Sequence, residues 1–237
     1  MYKNLLVLVL ITLSICACSK KEHTGFSVTG SVKGLKKGTL YLQKIEDTLL
    51  VNLDSLVVDG NPDFEFTTNL KEPEVLFLYL DKVDNSQYDD RIFFFAEPTA
   101  QMSITTTLEN FESFATITGS ENHTKWAEFQ KINTQFNNQN LDLIKGSFDA
   151  QKNADEALVL VYDDSIKKLI QRKYRYTGQF VINNKSLEIA PYIILSQISD
   201  AKLDFLDDLY MELPKDIQES KYGIALNTML DERRIDE

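Results

Sequence analysis

The residues of this chain that could do chemistry are few and scattered. There are two cysteines, Cys16 and Cys18, near the N-terminus and two histidines, His23 and His123, far apart along the chain. Carboxylates recur as neighbours in Asp89-Asp90, Asp163-Asp164 and Asp207-Asp208. A hydrolytic or metal centre needs several such groups converging, and two histidines this far apart do not announce one. His23 reads as tether polarity and His123 as part of an exposed helix start. The acidic pairs lack the regular oxygen-ligand spacing of a calcium loop, so they read as solvated helix or loop faces. No nucleophile elbow, P-loop or dinucleotide fingerprint is present. Gly30, Gly34 and Gly38 have the wrong spacing for one and read as sheet turns. The run Phe93-Phe94-Phe95 is read as a core strand in preference to a ligand face. The expectation is a protein that is not an enzyme, with no catalytic residue, metal or cofactor.

Cys18 carries the strongest single signal. Lys3 supplies a positive start, residues 5–13 are almost unbroken apolar, and Ala17 precedes Cys18. The apolar run is far shorter than the roughly 20 residues that cross a bilayer, so it reads as a signal peptide. Ile15, Ala17 and Cys18 resemble the bacterial lipobox, which implies cleavage before Cys18 and acylation of its sulfur. Several acyl chains, at about 0.8 kcal/mol per buried methylene, make a stable anchor. Ser19 resembles an outer-membrane sorting residue. The expected location is the cell envelope, at the outer membrane.

That cleavage fixes the rest of the chemistry. Of the segment 1–17 that it removes, Lys3 is the only charged member, so the mature chain keeps all 36 carboxylates against one cation fewer than the original 25. Cys16 is discarded and the Cys18 sulfur is occupied by lipid. No thiol then remains for a redox pair, a disulfide, a thiolate nucleophile or a Cys-ligated metal. The acidic balance also argues against nucleic acid or anionic lipid as a main partner.

The elements that would carry any site change character near Gly119-Ser120. Before that point, β-branched and aromatic runs predict strands at 26–32, 39–44, 53–58, 64–68, 75–81, 92–97, 102–107 and 114–118. Asp59-Gly60-Asn61-Pro62 has hairpin chemistry. Residues 75–80 and 93–95 are apolar on both faces and predict central strands covered twice. Eight close strands imply an antiparallel sandwich or open barrel.

After Ser120, an expected N-cap, the spacing is helical. Trp126, Phe129, Ile132 and Phe136 mark a first helix, and Asn137 to Asn140 with Lys145-Gly146-Ser147 mark a break after it. A long helix from about 154 to 180 follows, carrying Leu158, Tyr162, Ile166 and Leu169. Ser186 is the expected cap of the next helix, which starts near Ala190 or kinks at Pro191. Leu203, Leu206, Leu209 and Leu213 form a stripe ended by Pro214, and a last helix begins near Ile217 and ends in a polar tail that includes Arg233 and Arg234. The fold class is α+β: signal peptide 1–17, lipidated tether 18–24, antiparallel β domain 25–119, and α-helical region 120–237.

A resemblance rests on particular residues. Phe26-x-Val28-x-Gly30-x-Val32-x-Gly34, Leu40-Tyr41-Leu42, Asp54-Ser55, Asp59-Gly60, Phe64-x-Phe66, Phe95-x-Glu97-Pro98 and Gly119-Ser120-x-Asn122 resemble the domain of unknown function 4369 of envelope lipoproteins. Ser186, Tyr192, Leu209-Tyr210 and Ser220-x-Tyr222-Gly223 resemble the helical part that follows it. In such proteins a thioredoxin-like domain comes next, and its Trp-Cys-x-x-Cys motif does the redox chemistry. No residue here corresponds to that motif, so the resemblance implies a fold and not a redox activity.

Two function classes stay open. One is a non-catalytic module, tethered by lipid to the membrane, that binds a small ligand, a peptide or another envelope protein. The other is an accessory of a separate thioredoxin-like thiol–disulfide oxidoreductase, docked on an exposed apolar patch around 222–230. Asp47-Thr48-Leu49, Asp54-Ser55-Leu56 and Asp164-Ser165-Ile166 also resemble periplasmic O-glycosylation acceptors, which makes Thr48, Ser55 and Ser165 expected sites, Thr48 first for its loop position.

Overall fold

The computed structural model describes residues 25–46, 48–82 and 90–236. The strands are β1 (Phe26–Lys33), β2 (Lys37–Glu46), β3 (Leu49–Asp59), β4 (Asp63–Thr68), β5 (Glu74–Lys82), β6 (Arg91–Ala96), β7 (Gln101–Thr107) and β8 (Thr116–Thr118). They form two four-stranded sheets, ordered β4-β1-β7-β8 and β3-β2-β5-β6. All pairings are antiparallel except β1 with β7, which run parallel. The sheets do not close into a barrel, in keeping with the sandwich or open barrel expected.

Period-2 alternation builds the space between the sheets. Val28, Leu40, Leu42, Phe66, Leu76, Leu78, Leu80, Ile92, Phe94 and Ile104 are buried together there. On β5 and β6 the intervening residues Val75, Phe77, Phe93 and Phe95 point the other way, into a second core roofed by helices. The double covering expected for these strands is therefore present, although β6 lies at a sheet edge and not at its centre. Two turn readings need correction. Gly60, at φ +90°, does not close a hairpin: β3 and β4 belong to different sheets, and the turn carries the chain across. Gly30 and Gly38 lie within β1 and β2 and not in turns, Gly30 opposite Ile104 of the parallel strand.

Six helices follow: α1 (Glu121–Lys152), α2 (Glu156–Asn183), α3 (Ile189–Gln197), α4 (Leu203–Glu212), α5 (Lys215–Gln218) and α6 (Lys221–Asp236). Ser120 caps α1 as expected, its hydroxyl accepting from the His123 N–H at 3.0 Å. The break predicted over Asn137 to Asn140 and Lys145-Gly146-Ser147 does not occur, and α1 runs uninterrupted for 32 residues. Gly146 has a different task. A Cβ there would lie 2.4 Å from the ring of Tyr162, so the missing side chain lets α2 pack flush against α1.

Ser186 does not cap α3 by side chain, and Pro191 sits in that helix's first turn, consistent with the start expected near Ala190. The last stretch is split: the short α5 ends at Gln218, and α6 continues through Arg233 and Arg234, so the expected polar tail is helical.

Candidate functional site

The strongest polar construction among the described residues joins the sandwich to the helices. Glu97 follows β6, and its Oε1 accepts from Ser120 Oγ at 2.8 Å, from the Asn122 backbone N–H at 3.0 Å and from Asn122 Nδ2 at 3.2 Å. Asn122 is 2% exposed. Its Nδ2 also reaches Glu188 Oε2 at 3.3 Å, and its Oδ1 accepts the Ile189 N–H at 2.9 Å. One asparagine at the start of α1 thus supplies the cap that α3 lacks from its own neighbours.

His123 completes this joint, and the expected exposed helix start is corrected: the residue is buried. Its Nδ1 accepts the Phe95 N–H at 3.4 Å, covering a donor on the open edge of β6. Burial lowers its pKa from 6.5 to about 4. A histidine whose folded pKa is depressed takes up its proton less readily folded than unfolded. Its neutral form therefore contributes stability that is complete above about pH 6.5 and is lost as the pH falls toward 4, a loss of up to about 3 kcal/mol. His123→Asn keeps an acceptor near that N–H without the titration. Urea unfolding between pH 4 and 7 is expected to show a shallower pH dependence for His123→Asn than for the wild type, and parallel curves would contradict this role.

A second latch holds α6. The Val75 N–H donates to the Tyr222 hydroxyl at 2.8 Å, and the Lys221 N–H donates to Glu72 Oε2 at 2.7 Å. Lys221 Nζ pairs with the nearly buried Glu74 at 2.5 Å. Burial pushes the hydroxyls of Tyr222 and Tyr192 upward, the latter to about 12, so both stay protonated. Between the latches the rings of Phe93, Trp126, Tyr192, Phe95 and Tyr222 form a continuous aromatic seam. Its centroid separations run from 4.9 Å for Phe93 with Trp126 to 5.9 Å for Phe93 with Tyr192. The Phe93-Phe94-Phe95 run is accordingly core, with Phe94 in the sandwich and its two neighbours in the seam.

Beyond this body α1 and α2 continue as a two-helix arm. Neither apolar core draws a residue from 130–173. Leu169 and Ala150 are buried on the arm, while Leu141 (63%), Phe148 (58%), Leu160 (69%) and Val161 (59%) stay exposed. The run Leu158-Val159-Leu160-Val161 is apolar all round the start of α2, more than one neighbouring helix can cover.

The structure gathers few of the residues singled out by type. Cys16, Cys18, His23, Asp47 and Asp89 lie outside the described residues. Asp90 pairs with Lys82 at 2.6 Å, Asp164 with Lys168 at 2.7 Å and Asp207 with Arg234 at 2.5 Å. Among the described residues no three His, Cys, Asp or Glu side chains are grouped to hold a metal ion, and no helix is long and apolar enough to cross a membrane. Thr48 is exposed in the turn between β2 and β3, and Ser55 is exposed on β3. Ser165 lies within α2 with its hydroxyl donating to the Val161 carbonyl at 2.8 Å. In the segment 222–230, Leu226 and Leu230 are buried and Tyr222 turns inward to β5, which leaves Ile224 as its exposed large apolar side chain. Glu97, Asn122 and Glu188 were not recognisable as one site from the sequence. The first two stood only within motifs carried by resemblance, and Glu188 carried no signal.

Residues 26–126 match the family described as Domain of unknown function (DUF4369). The match runs past the last strand and ends at Trp126, whose ring lies 4.9 Å from that of Phe93. It thus includes Glu97, Ser120, Asn122 and His123, the whole α1 side of the joint. No curated protein and no solved structure matches the chain. The sandwich and the start of α1 that locks onto it, residues 26–126, are a DUF4369 domain, a domain of unknown function.

Proposed function

We propose that this is a lipid-anchored protein of the bacterial envelope, tethered through Cys18, whose folded part is a non-catalytic binding module that presents the α1–α2 arm to another envelope component. The arm carries this reading. The polar groups at both joints are spent on one another, holding sandwich and helices together, whereas the arm leaves Leu141, Phe148, Leu160 and Val161 in water. Exposing such side chains forgoes about 1.5–3 kcal/mol each relative to burial. Leu141 and Phe148 share one face of α1, and Leu160 and Val161 are neighbours on α2, so the exposed apolar residues are grouped on the arm, which supports an interaction site there.

The experiment is site-specific photocrosslinking in the native host. A photoreactive residue at Phe148 or Leu160 is expected to give one discrete adduct. The same residue at Val57, an exposed apolar position on β3, is expected to give none. No adduct from the arm, or equal adducts from all three positions, would contradict the reading.

A further inference from the structure

The net charge of −11 hides a local reversal on the arm. From Ser165 to Glu188 the chain carries Lys167, Lys168, Arg172, Lys173, Arg175 and Lys185 before it meets its next carboxylate, Glu188 itself. Lys168, Arg172 and Arg175 are spaced i, i+4 and i+7, which places them on one face of α2. With Gln171 they line one wall of a groove of about 620 Å³; Gln139 and Asp142 of α1 stand on the other. Lys168 is partly neutralised by Asp164 at 2.7 Å. The guanidinium groups of Arg172 and Arg175 form no ion pair among the described residues, and Arg175 only reaches back through Nε to the Gln171 carbonyl at 3.4 Å. Like charges at i,i+3 and i,i+4 oppose the helix by a few tenths of a kcal/mol per pair. The groove therefore keeps a repulsion that a bound anion would relieve.

We propose that this groove binds a small phosphate-bearing ligand. Planar guanidinium forks match two phosphate oxygens at once, which a lysine point charge does not. Arg172 and Arg175 take the phosphate, Lys168 adds a third positive charge, and the amides of Gln139 and Gln171 donate to the rest of the ligand. Asp142 on the facing wall and Asp163 and Asp164 one turn away repel any long polyanion, so the site favours a compact one. This rests on the reading of the arm as a binding element and names the chemistry of one ligand.

The test is calorimetric titration of the mature lipidated protein, held in neutral detergent at low salt, with three probes. These are pyrophosphate, glycerol phosphate and glycerophosphoglycerol, the last being the headgroup of an anionic phospholipid. Saturable binding of at least one probe is expected, weakened at least tenfold in Arg172→Gln/Arg175→Gln. Lys131→Gln/Lys145→Gln, which removes the same charge from α1 outside the groove, is expected to bind like the wild type. Binding of glycerophosphoglycerol alone assigns the phosphate to a lipid headgroup, and binding of the other two alone assigns it to a free phosphate ester or anhydride. All four variant side chains are exposed, so an unchanged melting temperature separates lost binding from lost fold. No binding of any probe overturns the proposal, as does equal weakening by the two double variants. The photocrosslinks at Phe148 and Leu160 do not depend on Arg172 or Arg175, so failure of the groove leaves the broader reading with its own readout.

Discussion

Asn122→Ala is expected to lower the unfolding free energy by about 3–5 kcal/mol, out of the roughly 5–15 kcal/mol that a domain normally holds. The side chain is 2% exposed and serves three partners in two segments: Glu97 after β6, and Glu188 with the backbone N–H of Ile189 at the start of α3. Alanine leaves the Ile189 N–H orphaned in a buried helix start and takes a donor from each of two carboxylates. Each uncompensated buried group costs about 1–3 kcal/mol. Asn122→Asp keeps the acceptor for Ile189 but places a third carboxylate against Glu97 and Glu188, so at neutral pH it should also destabilise. Urea unfolding followed by both near- and far-ultraviolet dichroism provides the check. A loss below about 1 kcal/mol for Asn122→Ala, the level of a single ordinary hydrogen bond, would mean that the joint is not where sandwich and helices are held together.

Gly223→Ala is expected to act nearly as strongly at the second latch. A Cβ there would lie 2.0 Å from the Ile217 carbonyl oxygen and 2.6 Å from that of Gln218. Both are backbone atoms, so α6 itself must shift. Overpacking of this kind costs about 1–3 kcal/mol and more where no flexible side chain can yield. Because Tyr222 precedes this residue, a shift of α6 also strains the bond from the Val75 N–H to its hydroxyl. Hydrogen exchange should therefore quicken at Val75 in the variant, with the melting temperature falling by several degrees. Wild-type protection at Val75 together with an unchanged melting temperature would remove α6 from the account of stability.

The legible and illegible parts of this fold divide along physical lines. Runs of β-branched and aromatic residues placed the eight described strands within a few residues, because strand-forming composition is a local signal. The assignment of strands to sheets was not legible. Gly60 offers the same backbone freedom to a turn within one sheet as to a crossing between two, and only long-range pairing decides. The uninterrupted α1 was hidden for a related reason. Gly146 and the run from Asn137 to Asn140 have low helix propensity. Yet Tyr162 packs where the missing Cβ of Gly146 would be, and Lys173 Nζ donates to Asn137 Oδ1 at 3.3 Å. Tertiary contact overrode local preference.

The candidate sites follow the same rule. Net charge argued against an anionic partner, and as an average it concealed the cation run from Lys167 to Arg175. His123 looked like a polar residue at a helix start, because nothing near it in sequence reveals that the edge of β6 covers it. The stripe Leu158, Tyr162, Ile166 and Leu169 marked a helix but did not point to Leu141, Phe148, Leu160 or Val161 as exposed. The structure supplies one neighbouring helix for it and leaves the rest in solvent.

The most direct test of a lipid-tethered binding module is made at Cys18. Membrane fractionation of the native host, with mass analysis of the N-terminal peptide, should find the wild type in the membrane after a carbonate wash. Its first peptide should begin at Cys18 and carry thioether-linked diacylglycerol. Cys18→Ala should leave the membrane fraction while its folded part melts as the wild type does. An unlipidated N-terminal peptide in the wild type, or Cys18→Ala retained in the membrane, would contradict the account.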